Sequence, residues 1–211
     1  MDEKDSEVIL GILNSQNVLF LMDKKIIKPF SVPGSNLFEK YRTKLVRDQS
    51  GNDMMRVDYD PSPDSQGGRG VFGKLQQLAV GILNFKVGDL NGNYIYSIRA
   101  DHFMTTTHNF RIMDGDESRD RFSATHKMMA LGRNSLVITG TDSTTVLSSQ
   151  YNSLNKAIEV AGPDGIKVAT LHAPIISMRD RWQLDFSGES DRALVIVMVA
   201  IMSELGQKRG V

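Results

Sequence analysis

The sequence predicts a mainly β protein, an antiparallel barrel or sandwich organised around one apolar segment near its C-terminus. Two observations carry this. Residues 193–202, ALVIVMVAIM, are ten consecutive apolar residues in a chain otherwise rich in charge and turns. From Asn36 onward the pattern changes to runs of about five to nine residues holding Tyr, Phe, Val and Ile, separated by turn signals, as in an all-β meander.

The apolar segment comes first because it sets the rest. Ten helical residues at about 1.5 Å each reach only about 15 Å, whereas a bilayer takes about 20 apolar residues to cross. No membrane span is expected. Apolar side chains on every side of a short helix mean that protein covers every face. A central strand reads the same way, since a short apolar run has no period to arbitrate. The flanks favour a helix over about 191–205. Gly188, Glu189, Ser190 and Asp191 look like a turn and an N-cap, and Gly206, Lys208 and Arg209 suit a C-terminus.

The 211 residues suit one generous domain or two small ones. Lys plus Arg equals Asp plus Glu at 25 each, so no global charge draws the chain to nucleic acid, and any such attraction must be local. The lack of cysteine excludes disulfides, a cysteine nucleophile and thiolate metal sites. The opening MDEKDSEVIL carries acids where a secretory signal carries cations. A cytoplasmic or nuclear protein is expected, with peripheral membrane contact if it binds lipid.

Along the chain, residues 8–22 are apolar but interrupted by Gly11, Asn14, Ser15, Gln16 and Asn17, and split into a helical turn and a strand from Val18. The expected organisation is an extension over 1–35, partly packed on a barrel domain over 36–211. Two turns are near copies. Asp48-Gln-Ser-Gly51-Asn52 and Asp89-Leu-Asn-Gly92-Asn93 each pair an Asp able to bond the backbone ahead with a Gly able to take positive φ. Asp114-Gly115 and Pro163-Asp164-Gly165 are further hairpin signals. Phe110 follows Gly92 by 18 residues and Trp182 follows Gly165 by 17, which reads either as two related β modules or as the regular spacing of any meander. Residues 58–73, DYDPSPDSQGGRGVFG, have loop composition, and 139–153, rich in Thr and Ser, read as an inserted loop or a polar edge strand.

Together the tandem strand-turn-strand units, the D-x-N-G hairpin at Asp89, the Trp182-Gln-Leu-Asp185 strand and the closing apolar helix resemble the LURP-one-related proteins. That family belongs to the tubby-like superfamily, with the phospholipid scramblases. The likeness covers roughly residues 36–205. It implies a closed barrel of about twelve antiparallel strands around one hydrophobic C-terminal helix. The residues reach the same arrangement separately, because an all-apolar helix needs a complete apolar wall and closing a sheet removes its edges. The extra N-terminal segment and the two loops depart from a lean version of the family.

The sharpest charge feature is residues 24–47, with Lys24, Lys25, Lys28, Lys40, Arg42, Lys44 and Arg47 against Glu39 alone. Strand residues two apart share a face, so a strand over 38–46 projects Lys40, Arg42 and Lys44 together, and these with Arg47 form the candidate phosphate or lipid-headgroup site. The same residues fit an ordinary solvated strand face. Tubby domains bind phosphoinositide headgroups through basic barrel residues, so the resemblance implies anionic phospholipid headgroups as ligand. A protein partner meeting the loops at 58–73 or 139–153 is the alternative, and lipid scrambling is disfavoured by the short helix.

Other chemistry is hard to assemble. Gly68-Arg-Gly-Val-Phe-Gly73-Lys74 has phosphate-loop spacing, but Leu75 stands where the magnesium-binding hydroxyl belongs and PSPDSQ is no buried strand. His102, His108, His126 and His172 lack metal-ligand spacing, and Asp114, Asp116, Glu117 and Asp120 read as a solvated turn. Trp182 and Phe110 read as barrel-wall packing, and Arg179 and Arg181 are too few cations for nucleic-acid stacking. The chain is therefore expected to be non-enzymatic, with no catalytic residues, no metal and no cofactor.

Overall fold

The structure, a computed structural model, describes residues 11, 13, 15–24, 43–59, 84–103, 107–128, 134–152, 157–172 and 181–207. Among them, twelve antiparallel strands close into a barrel around one helix. In chain order the strands are β1 (Val18–Lys24), β2 (Thr43–Arg47), β3 (Asp53–Tyr59), β4 (Phe85–Gly88), β5 (Tyr94–Phe103) and β6 (Thr107–Asp114). They continue with β7 (Asp120–Met128), β8 (Asn134–Gly140), β9 (Thr145–Asn152), β10 (Ala157–Ala161), β11 (Lys167–His172) and β12 (Arg181–Phe186). Each strand pairs with its neighbours in sequence, and β1 joins the two ends by pairing with both β12 and β2.

That closure corrects one boundary. The barrel starts at Val18 and not at residue 36: Leu19 sits opposite Leu184 on one side, and Leu21 opposite Val46 on the other. Without β1, both β2 and β12 would present unpaired backbone edges. Apolar alternation explains the strand, since Leu19 and Leu21 are buried and face inward.

A barrel of about eight strands is filled by its own side chains, and more strands enclose a wider space. Here the central helix (Arg192–Gln207) fills it. Every residue from 193 to 201 has zero solvent exposure, which accounts for the uninterrupted apolar run. Asp191 caps the helix, its carboxylate accepting the Leu194 N–H at 3.0 Å. The helix continues through Gly206 to Gln207, slightly past the expected end. No helix among the described residues is long and apolar enough to cross a membrane.

Five of the hairpins share one turn. In β2–β3, β4–β5, β8–β9 and β10–β11 the first turn residue accepts a backbone N–H from the residue three ahead and donates to the carbonyl four ahead. The β6–β7 turn keeps the first bond and is one residue longer. In all five the fourth residue is left-handed: Gly51, Gly92, Glu117, Ser143 and Gly165, with φ between 64° and 94°. A register shift in the adjoining strand pair accompanies each. The near-copy motifs behave alike: Asp48 and Asp89 each accept the backbone N–H and side-chain amide of the Asn four residues on. Residues 139–152 are no inserted loop, and residue 153 lies outside the described residues. They form the β8–β9 hairpin, whose Ser149 points into the barrel. In a closed barrel that strand has no free edge.

Candidate functional site

Inward positions alternate with outward ones, so two faces need separate description. Among the described residues the inner face is apolar except toward the two ends of the lumen, the first being the end that holds the helix C-terminus. There Lys44, 1% exposed, donates to the Ser203 hydroxyl at 2.7 Å, and Ser203 donates to the Ala200 carbonyl. His108 and His126, opposite each other on β6 and β7, stack with ring centroids 5.5 Å apart. Ser149 bonds the β8 backbone at Leu136 and the Met202 sulfur. At the other end Tyr96 donates to Asp191 at 2.7 Å, and burial, with the Asp191 charge behind it, pushes the phenol far above its ordinary value. Arg192 bonds the Leu13 carbonyl and stacks on Phe186.

Lys44 is therefore not on the outer face where the strand reading placed it. It lies two residues from Val46, which is fully buried opposite Met55, and alternation puts both inside. The helix supplies what a buried cation needs, a hydroxyl partner and the negative end of the helix dipole. Arg47 does face outward, its Nε 2.5 Å from Asp53. Lys40 and Arg42 lie outside the described residues, as do residues 60–73 of the loop and the phosphate-loop-like motif ending at Lys74.

The outer face of β2 to β7 carries a cation on each strand: Arg47, Arg56, Lys86, Arg99, Arg111 and Arg121. Four have their own carboxylate. Arg47 pairs with Asp53, Arg56 with Asp58, Arg111 with Asp101 at 2.6 Å and Arg121 with Asp114 at 2.6 Å. Lys86 and Arg99 share one. The Glu117 carboxylate meets Lys86 Nζ at 2.8 Å and a single Arg99 nitrogen at 2.9 Å to each oxygen. The buried Ser97 hydroxyl donates to it at 3.1 Å. Burial alone would raise this carboxyl, but the hydrogen bonds and charges of Lys86 and Arg99 outweigh that and hold it at about 2. Tyr94 adjoins the cluster, its ring 5.6 Å from Lys86 Nζ and its hydroxyl on Asp58.

This is where cations from two neighbouring strands converge on one carboxylate. The sequence reading missed it, although its register was countable. From the hairpin centred on Gly92, Gly88 pairs with Tyr94 and Lys86 with Ser97, while Phe85, Val87 and Ile98 alternate inward. No local pattern pointed to Glu117, which arrives from the next turn but one. Of the acidic cluster around it, Asp116 and Asp120 are exposed as read, while Asp114 and Glu117 are paired with cations. Among the described residues no three metal-ligating side chains gather. Compared with known proteins, the chain matches no family model and no curated protein.

Proposed function

We propose that the chain is a non-catalytic binding module of the tubby-like kind, whose barrel is scaffold and whose ligand is the anionic headgroup of a membrane lipid. The observation that carries this is the row of cations on six consecutive outer strand faces, each held in place by a carboxylate, around a lumen already filled by protein. In the sequence Lys40 and Arg42 precede β2, and with Arg47 they remain the proposed headgroup contacts. Lys44 belongs to the core and takes no part. Each basic residue near an anionic surface adds about 1 kcal/mol, so recruitment is weak and salt-sensitive.

The test is sedimentation of the full chain with phosphatidylcholine vesicles, with and without a phosphoinositide. Binding should require the phosphoinositide, weaken as salt rises, and drop at least tenfold in a Lys40→Glu, Arg42→Glu, Arg47→Glu variant. Equal binding to neutral vesicles, or no effect of the triple reversal, ends the lipid reading. A protein partner is the second reading, favoured by the uncharged outward residues Ser123, Thr125, Val137, Thr139 and Ser148 on β7 to β9. A partner retained by the triple reversal but lost in Val137→Lys supports it.

A further inference from the structure

At its N-terminal end the helix meets a cavity of about 910 Å³, walled among the described residues by Asn17 and residues 186–192. That volume lies in the range of small-molecule sites. Arg192, the first helical residue, belongs to the wall and is 8% exposed. A buried cation is ordinarily matched by a carboxylate. The outer residues Arg56, Arg111 and Arg121 are matched in this way, and their carboxylates raise their pKa. Arg192 shows the reverse: burial lowers its pKa and no neighbouring charge offsets the effect. One of its five N–H donors goes to the Leu13 carbonyl at 2.6 Å, and the Phe186 ring lies 4.7 Å from its Cζ. Those are its side-chain contacts with polar atoms and rings among the described residues. Asp191 beside it is engaged elsewhere, with one oxygen on the Leu194 N–H and the other on the Tyr96 hydroxyl. The Ser190 hydroxyl oxygen, in the same wall, is buried and makes no hydrogen bond within the protein.

We infer that this cavity binds the carboxylate of a small, polar organic acid, with Arg192 as its counter-ion. A cation in the first turn of a helix stands at the positive end of the dipole, the unfavourable end, and here it is buried as well. A bound anion relieves both costs. The planar edge of a guanidinium matches the two oxygens of a carboxylate side by side. Phe186 covers one side of that plane, so a ligand meets the donors at its edge. A monoanion fits better than a dianion, because the wall offers one cation and also carries the Asp191 and Glu189 carboxylates. A second negative charge on the ligand would face those two acids. Asn17 and Ser190 supply an amide and a hydroxyl for the ligand's remaining polar atoms, which suits a hydroxy acid better than an aliphatic one. The site is separate from the outer cations, and neither it nor the headgroup reading needs the other.

The test is titration of the full chain with lactate and gluconate at fixed ionic strength, followed by calorimetry and by amide chemical shifts. Lactamide and gluconamide serve as the neutral counterparts, and glucose 6-phosphate as a dianion. At least one acid should bind, shift the amides of residues 186–192, and bind at least tenfold more tightly than its amide. Glucose 6-phosphate should bind more weakly than that acid. Arg192→Gln keeps an amide donor for the Leu13 carbonyl but removes the charge, and should weaken binding at least tenfold. Glu189→Gln removes a repelling charge at an exposed position and should tighten binding about threefold, a gain that misfolding cannot imitate. The Lys40→Glu, Arg42→Glu, Arg47→Glu variant should bind the acid as wild type does, whatever it does with vesicles. Binding of neither acid, equal binding of acid and amide, or tighter binding of glucose 6-phosphate overturns the inference. So does full binding by a folded Arg192→Gln, or loss of binding in the triple reversal. Should Arg192→Gln fail to fold, Glu189→Gln decides, and the absence of a gain there overturns the inference as well.

Discussion

Lys44 illustrates how a charged residue can mislead when strand parity is read without the core. Read with Lys40 and Arg42 it looks like a surface cation, but read with Val46 it is an interior residue, and the interior assignment wins because the helix offers Ser203 at 2.7 Å. Lys44→Ala removes that donor and leaves a void, and should cost about 2–3 kcal/mol, lowering the melting temperature by roughly 4–10 °C in a domain of this size. Lys44→Met, which keeps length and removes charge, should melt within about 4 °C of wild type, since apolar replacement of a buried ion is often neutral. Neither should change vesicle binding; a specific loss of binding in Lys44→Met would put the residue back on the contact surface. Glu117 gives a pH signature. Its folded value is lowered to about 2 from an ordinary 4.5. It therefore contributes stability fully above the ordinary value, and that contribution disappears as pH falls from 4.5 toward 2. Melting temperatures of wild type and Glu117→Gln should differ above pH 5 and converge over that window. A difference that stays constant through it contradicts the ion-pair account.

At the scale of elements, the central helix is defined by its cap and by its surroundings more than by its own sequence. A ten-residue apolar run fits helix or strand, and Asp191 tips the balance by taking the Leu194 N–H. The same carboxylate accepts the Tyr96 hydroxyl, tying the helix start to β5. Asp191→Ala removes both bonds and leaves a phenol hydroxyl partnerless in an 8% exposed side chain. Loss of the cap alone costs about 1 kcal/mol and the stranded hydroxyl a further 1–3, so calorimetry should show a destabilisation of about 2–4 kcal/mol. Asp191→Asn, which keeps an acceptor oxygen, should recover at least half. The hairpins follow a similar logic. Asp48 and Asp89 were legible because the Asp, Gly and Asn each have a local task in the turn. The β8–β9 turn was not, because it uses Ser143 at the left-handed position and its strands are rich in Ser and Thr.

At the scale of the whole molecule, closure makes β1 indispensable. A chain beginning at residue 36 retains the helix and eleven strands but leaves β2 and β12 with open edges and uncovers one side of the helix. It should associate through those edges: size-exclusion chromatography should show oligomers or aggregate where the full chain gives one species. A monomeric, cooperatively melting 36–211 fragment would mean that β1 is ornamental.

The sequence by itself determined the class of fold, because a segment apolar on every side can be stable in water only when wrapped completely, and alternating strands with repeated turn residues are the available wrapping. It also determined the turn at each Asp and Gly motif, where the causes are local. What only the tertiary structure decided is which charges meet. Lys44 turning inward depends on a helix residue 159 positions away, and Lys86, Ser97, Arg99 and Glu117 converge from two strands and a separate turn. Partners distant in the chain leave no period or spacing in the sequence, and only closing the barrel sets their distances.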